Sequence, residues 1–367
     1  MAITLEEKPD LSLPMSSLIR QMTTADHERV SNSEGAVRLL RGELNKDEYI
    51  RYLAMLWHIY ECVHTIRFSV PSAQGRRPAS SNSTLENALE RHASHPVLMP
   101  THNPPLLSRT ASLLEDMSHL LGIPVSQVKS HPTFAAVSRS PPEALAVYLA
   151  RLRSLDGSPD PAPLLAHAYV RYMGDLSGGQ IIRRRVTRAY RLEDEDGAGV
   201  SYYRFQKLGG AGGGGGGGGS AGLGDIQRIK EWYRDGMDAG VGDDDQDQKG
   251  QLAVTPYSNS RYRLPRAELG PIAFFFFFAV AILVEARKAF ELNSGLLELF
   301  KAPSGGLDLP TSSSTASVHH HQVDPAVSLA LDFLGDSPKA PTEIPRSPSL
   351  WRSSEQFFSS IMGSISH

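Results

Sequence analysis

The stretch AHAYVRYMGDLSGGQIIRRR, residues 166–185, decides how the rest of the chain is understood. Its apolar residues recur at helical spacing, yet Gly174, Gly178 and Gly179 lie inside it. A glycine in a helix interior costs about 0.8–1 kcal/mol relative to alanine, so three cost about 2–3 kcal/mol before tertiary contacts are counted. His167, Arg171 and Asp175 follow one another at intervals of four and share one stripe beside the glycines. One side of the segment therefore combines polar groups with bare backbone. Such a face lets a flat ligand or another helix approach the main chain, and it eases a bend. The glycines by themselves fit close helix–helix packing as well as they fit a ligand.

Working outward, the sequence predicts helices on both sides. A helix over 15–31 follows Pro14, with Ser16 or Ser17 as N-cap. Asn45 and Glu48 form a capping-box pattern ahead of Tyr49, Leu53, Leu56, Tyr60 and Val63, which repeat at helical spacing. Further helices are expected at 84–93, 105–122, 132–138 and 141–155. The glycine-bearing helix is expected over 163–190, with Pro163 near its first turn. Two more follow near 225–237 and over 272–301. No alternating apolar pattern of useful length intervenes, so the expected fold class is all-α.

Composition narrows the function. The 367 residues are 40% hydrophobic, enough for a substantial core. Lys+Arg 37 against Asp+Glu 40 gives a net charge of -3, which excludes a global basic field for nucleic acid or an anionic membrane. A single cysteine, Cys62, excludes intramolecular disulfides and cysteine-rich metal sites and fits a reducing, cytoplasmic compartment. The N-terminal residues lack the basic and apolar segments of a secretory signal. The longest apolar run, PIAFFFFFAVAILV at 271–284, is shorter than the roughly 18–20 residues a membrane span needs, so a buried helix is expected and no integral membrane segment. The expected organisation is a catalytic domain over 15–302, flexible insertions at about 191–224 and 240–268, and a Ser/Pro-rich disordered tail over 303–367. The first insertion carries the run GGAGGGGGGGGSAGLG at 209–224. The triplet His319, His320 and His321 lies in the tail, without the rigid surroundings a metal site requires.

The first helix adds an independent clue. Arg20, Thr23, Thr24, His27 and Ser31 form one stripe with His27 in its middle. A lone histidine on a helix is ordinarily a surface or satisfied core residue, but an imidazole is also the usual proximal ligand of a haem iron. At RYMGDLSGGQ, residues 171–180, the chain resembles the signature of the eukaryotic-type haem oxygenases. TADHERV around His27, LWHIYECV, ALERHASHPVLMP, VYLARL, LLAHAYVRY, IKEWYRDGM and EARKAFELN match further segments in the family's order.

That resemblance implies a haem held between a proximal helix and a kinked, glycine-rich distal helix. It implies His27 as the axial iron ligand and Gly174, Gly178 and Gly179 as the distal wall. Asp175 is implied as the key catalytic residue, holding a water that directs oxidation to a meso carbon of the porphyrin, with Arg171, Tyr60, Tyr148 and Asn293 completing the distal network. Lys230 and Arg234, assisted by Arg20 and Tyr169, are implied as propionate partners, and Thr24 and Phe290 as further haem contacts. The implied reaction cleaves haem, both cofactor and substrate, to biliverdin, carbon monoxide and ferrous iron with dioxygen as co-substrate. Its electrons come from an NADPH-dependent flavoprotein reductase, since no Rossmann-type glycine fingerprint follows a strand here. A cytoplasmic protein in peripheral contact with the endoplasmic reticulum surface fits this picture. The alternatives are a haem-binding or haem-sensing protein without turnover, and a helical scaffold whose glycines only pack helices. Paired Glu-x-x-His motifs of a diiron enzyme are not found. Ser31 departs from the pattern, standing where animal relatives typically have a glutamate beside the proximal imidazole. The phenylalanine run 274–278 departs too, in place of a polar-faced helix.

Overall fold

Prolines and capping residues set where the helices begin. The computed structural model describes residues 13–61, 84–192, 197–209, 220–241 and 271–301. α1 (Met15–Ser31) starts directly after Pro14. α2 (Glu34–Arg41) ends on Gly42 in the left-handed region at φ 71°, where a side chain would be strained. α3 (Lys46–Tyr60) opens with the reciprocal Asn45–Glu48 capping box that the sequence predicts. α3 is buried on nearly every side, which makes it the central helix, with α4 (Leu85–Arg91), α6 (Thr110–Leu121), α8 (Pro132–Arg139) and α9 (Glu143–Asp156) packed around it. The short α5 (Pro104–Leu107) and α7 (Val125–Val128) join these. α13 (Pro271–Leu297) lies along α1, α9 and α10 (Leu164–Leu176), while α12 (Leu223–Val241) packs against α1 and α10. The expected all-α class holds: among the described residues, the one β-type pairing is the antiparallel bridge Gln206–Ser220.

Four departures from the sequence expectations have local causes. α2 is too short for its periodicity to predict, and it sits so tightly that a Cβ on Gly35 would fall 1.8 Å from the Leu297 carbonyl oxygen. The helix expected at 105–122 is divided. The buried Glu86 carboxylate accepts Ser108 Oγ at 2.8 Å, Arg109 N at 2.6 Å and Thr110 Oγ1 at 2.9 Å, which starts α6 afresh. The helix expected over 163–190 breaks at Ser177 (φ -111°, ψ -88°) into α10 and α11 (Gly178–Ala189). Finally, the insertion expected at 191–224 is not wholly flexible. Val200, Tyr202, Tyr203 and Phe205 are core residues, and α12 begins at Leu223.

The apolar run enters α13, where Phe278, Ala279, Ile282 and Leu283 are buried as expected and Phe278 meets the His95 ring edge-on at 6.0 Å. Among the described residues, no helix is long and apolar enough to cross a membrane. Cys62, most of the second insertion, the side chains of 274–277 and the tail with its histidine triplet lie outside the described residues.

Candidate active site

The break at Ser177 opens a cleft between α1 and the α10–α11 pair. It has two adjoining lobes, of about 390 Å³ and 160 Å³, which share His27, Ser31, Val170, Gly174, Gly178 and Phe290 on their walls. The size lies within the range of small-molecule sites. Arg20, Thr24, Glu28 and Tyr169 border the larger lobe, and Arg171, Asp175 and Asn293 border the smaller. Thr24 and Glu28 are exposed, so the larger lobe opens to solvent there.

His27 forms one wall. Burial pulls its imidazole below the ordinary value and outweighs the opposing effect of Glu28, which keeps the ring neutral at pH 7. The Phe290 ring meets it edge-on at 5.9 Å and fixes its plane. On the facing wall, a Cβ built on Gly174 or Gly178 would meet nothing within 4 Å. Those two glycines leave open space against the backbone. Gly179 also lines the smaller lobe but differs: a Cβ there would lie 2.9 Å from Tyr203 Cδ1, so this glycine permits the close packing of that ring.

Behind the glycines lies a buried polar network. Asp175 is 5% exposed; its Oδ2 accepts from Tyr60 at 2.6 Å, and its Oδ1 accepts from Tyr202 at 2.7 Å and from Arg171 Nη2 at 3.4 Å. Arg171 also donates from Nη1 to Asn293 Oδ1 at 2.8 Å and from Nη2 to Tyr202 at 2.7 Å. Asn293 passes the chain on, donating to the Tyr148 hydroxyl at 3.3 Å. Burial pushes the Asp175 carboxyl above its usual value, opposed by Arg171 and by the Tyr60 and Tyr202 hydrogen bonds. His167, on the same stripe as Arg171, turns away from the cleft. Its Nε2 meets Glu285 Oε1 at 2.8 Å, and Glu285 also pairs with Arg151.

The structure thus brings Asp175, Arg171, Tyr60, Tyr148 and Asn293 into one network, although the ion pair Arg171–Asp175 alone would have accounted for their spacing. It places His27, Arg20, Thr24, Tyr169, Gly174, Gly178 and Phe290 around the cleft. Two expected residues are not among the lining residues of either lobe. Lys230 is 1% exposed and lines neither lobe, because α12 turns Ile226, Ile229, Lys230, Tyr233 and Met237 into the interior. Arg234 is also off the lining, though its charge, with that of Arg20, acts on the Tyr169 hydroxyl. Among the described residues, the Lys or Arg cation on the larger lobe's wall is Arg20. Tyr202 is the network residue that sequence reasoning misses. It sits in a three-residue 3-10 turn, Ser201–Tyr203, with no periodicity to flag it.

A family model described as Heme oxygenase matches residues 13–67 and 80–250. The chain belongs to the haem oxygenase family. Heme oxygenase 1 of Bos taurus is 31% identical over 206 residues, covering 56% of this chain and 60% of the relative. Heme oxygenase 2 of Mus musculus is 28% identical over 226 residues, covering 61% of this chain and 56% of the relative. The match therefore spans less than two thirds of these relatives' length. Among solved structures, heme oxygenase-2 from Synechocystis sp. PCC 6803, in complex with heme and NO, superimposes with a TM-score of 0.51 at 23% identity, over 78% of this chain and 84% of that one. Heme oxygenase from Leptospira interrogans gives 0.50 at 24% identity, over 78% and 100%. Both share the all-α haem oxygenase fold.

Proposed function

We propose that this haem oxygenase family member cleaves haem oxidatively to biliverdin, carbon monoxide and ferrous iron, with dioxygen as co-substrate and electrons from an NADPH-dependent flavoprotein reductase. One observation carries the proposal: a neutral imidazole faces two glycines whose missing side chains leave space, with a buried carboxylate network directly behind them. The residues fit a haem. The cradle along Gly174 and Gly178 is one that any Cβ would fill, and Arg20 supplies a cation for a propionate at the larger lobe. Bound there, haem supplies both the redox-active iron and the carbon skeleton that is cut.

The chain's own groups divide the remaining work. His27 provides a neutral nitrogen for the iron, with Phe290 fixing its orientation. Gly174 and Gly178 keep the wall that faces His27 clear of side chains, which would leave room for dioxygen beside a bound haem. Asp175 presents its carboxylate close to that wall, where two phenols and Arg171 take three of its roughly four acceptor sites and leave about one to order a water. Arg171 balances that charge and ties it through Asn293 to Tyr148, so the network acts as one polar unit. A reducing, cytoplasmic setting suits a chain with one cysteine.

The test is to load the purified chain with one equivalent of haem and add NADPH and a compatible reductase in air. The Soret band should decay as a biliverdin band grows. A Soret band that persists under reduction leaves a haem-binding protein without turnover, and the absence of any Soret shift on mixing refutes the haem site.

A further inference from the structure

Two phenols grip the Asp175 carboxylate, one on each oxygen, and both hydroxyls accept in turn from Arg171: Tyr60 from Nε at 3.3 Å, Tyr202 from Nη2 at 2.7 Å. They reach it by different supports. Tyr60 ends the long helix α3, whereas Tyr202 stands in a single 3-10 turn with no helix behind it. That turn is held by Asp116 of α6. The Asp116 carboxylate, 0% exposed, accepts the Ser201 N–H at 2.6 Å with one oxygen and the Tyr202 N–H at 2.8 Å with the other. Arg109, also buried, donates from Nη1 to the carbonyls of Tyr202 at 3.2 Å and Arg204 at 2.7 Å. Arg109 also donates to the carbonyls of Leu106 and Leu107, whereas the side-chain oxygens of Asp116 both serve the turn; burying that polar group is costly, and the side chain the turn delivers is Tyr202.

We infer that Tyr202, mounted on Asp116, is a positioning residue that fixes the orientation of the Asp175 carboxylate at the cleft. The inference deepens the function proposed above and rests on it for the role of Asp175. A hydroxyl donated to a carboxylate stabilises its anion, so removing the Tyr202 hydroxyl raises the pH at which Asp175 takes up a proton. Tyr202→Phe keeps the ring packed against Tyr60 at 6.0 Å and Tyr203 at 4.7 Å.

The experiment is a carbon-13 NMR titration of the full chain labelled at its aspartates, without haem, with Asp175 assigned by the signal missing from Asp175→Asn. In Tyr202→Phe the Asp175 midpoint should rise by about 1–2 pH units, the effect expected for one hydrogen bond to a charged group. Asp116→Ala, which removes both acceptors that hold the turn, should move it the same way with the Tyr202 hydroxyl still present. An unchanged midpoint in Tyr202→Phe overturns the inference, and a shift there with none in Asp116→Ala overturns the mounting by Asp116. In the haem-loaded chain, the acid limb of the turnover profile should shift with the midpoint. Because the titration needs no haem, failure to cleave haem refutes the function proposed above and leaves the test of Tyr202 intact.

Discussion

At the scale of single residues, the three glycines of the distal segment have separable roles. Gly174 lies in a helix interior with open space where its Cβ would project. Gly174→Ala should therefore raise stability by up to about 1 kcal/mol in a urea titration, through helix propensity alone. The same methyl enters the cleft, and a haem titration should show affinity weakened by about 5- to 100-fold, the range set by a modest steric overlap. Gly179→Ala should behave oppositely. Its methyl meets the buried Tyr203 ring at 2.9 Å, so the chain should lose about 1–2 kcal/mol. Equal stability changes in the two variants would refute this division of labour. On the other wall, Ser31→Glu adds a stronger acceptor one turn from His27, and resonance Raman of the haem-loaded chain should show a changed iron–imidazole stretch. The site residues legible in the sequence are those with a spacing: His27 within a stripe, and Arg171 and Asp175 four apart. Tyr202 is not legible because its place depends on backbone bonds to Asp116, 86 positions away. The burial of Lys230 is not legible for a related reason, since a cation four residues from Arg234 carries no mark of the core position its helix gives it.

At the scale of elements, α9, α10 and α13 are tied together by one buried carboxylate. Burial by itself would raise the pKa of Glu285, but its bonds to Arg151 and His167 prevail and hold it down at about 2. A carboxyl depressed from its ordinary 4.5 adds stability that is fully present above pH 4.5 and lost as pH falls through about 2. The shift corresponds to about 3 kcal/mol. Glu285→Gln should cost about that much at pH 7, and the variant's unfolding free energy should fall less steeply than the parent's between about pH 5 and 2. Matching slopes for the two chains would show that Glu285 is not the acid-sensitive tie. Helix starts such as the Asn45–Glu48 box are legible because their chemistry is local. The break before α6 is not, since it is made by Glu86 on another helix. The break at Ser177 is half legible: the glycines announce a bend, but its position depends on packing.

At the scale of the whole molecule, the polyglycine run joins the distal wall to α12, and the question is whether the fold depends on its length. The chain reaches it through Phe205, whose ring lies 4.1 Å beneath the Arg109 guanidinium, and leaves it at α12. On either side, Gln206 bridges to Ser220 and the Ala221 N–H donates to the Phe205 carbonyl at 2.8 Å. The two ends therefore meet, so the segment that joins them has no gap to span. For such a closed loop the entropy cost grows as about (3/2)RT ln n, so replacing 207–219 with a four-residue turn should stabilise the chain by about 1 kcal/mol. In a domain of this size that corresponds to a rise of about 2–4 °C in the thermal midpoint. Haem titration of the shortened chain should give the parent's affinity, because the described residues at the two ends of the run, Lys207, Leu208, Gly209 and Ser220, line neither lobe. A lower midpoint would mean that the run supports the core turn carrying Tyr202. A lower haem affinity at an unchanged midpoint would mean that it sets the width of the cleft, which makes this one deletion a test of how the distal wall and α12 are coupled.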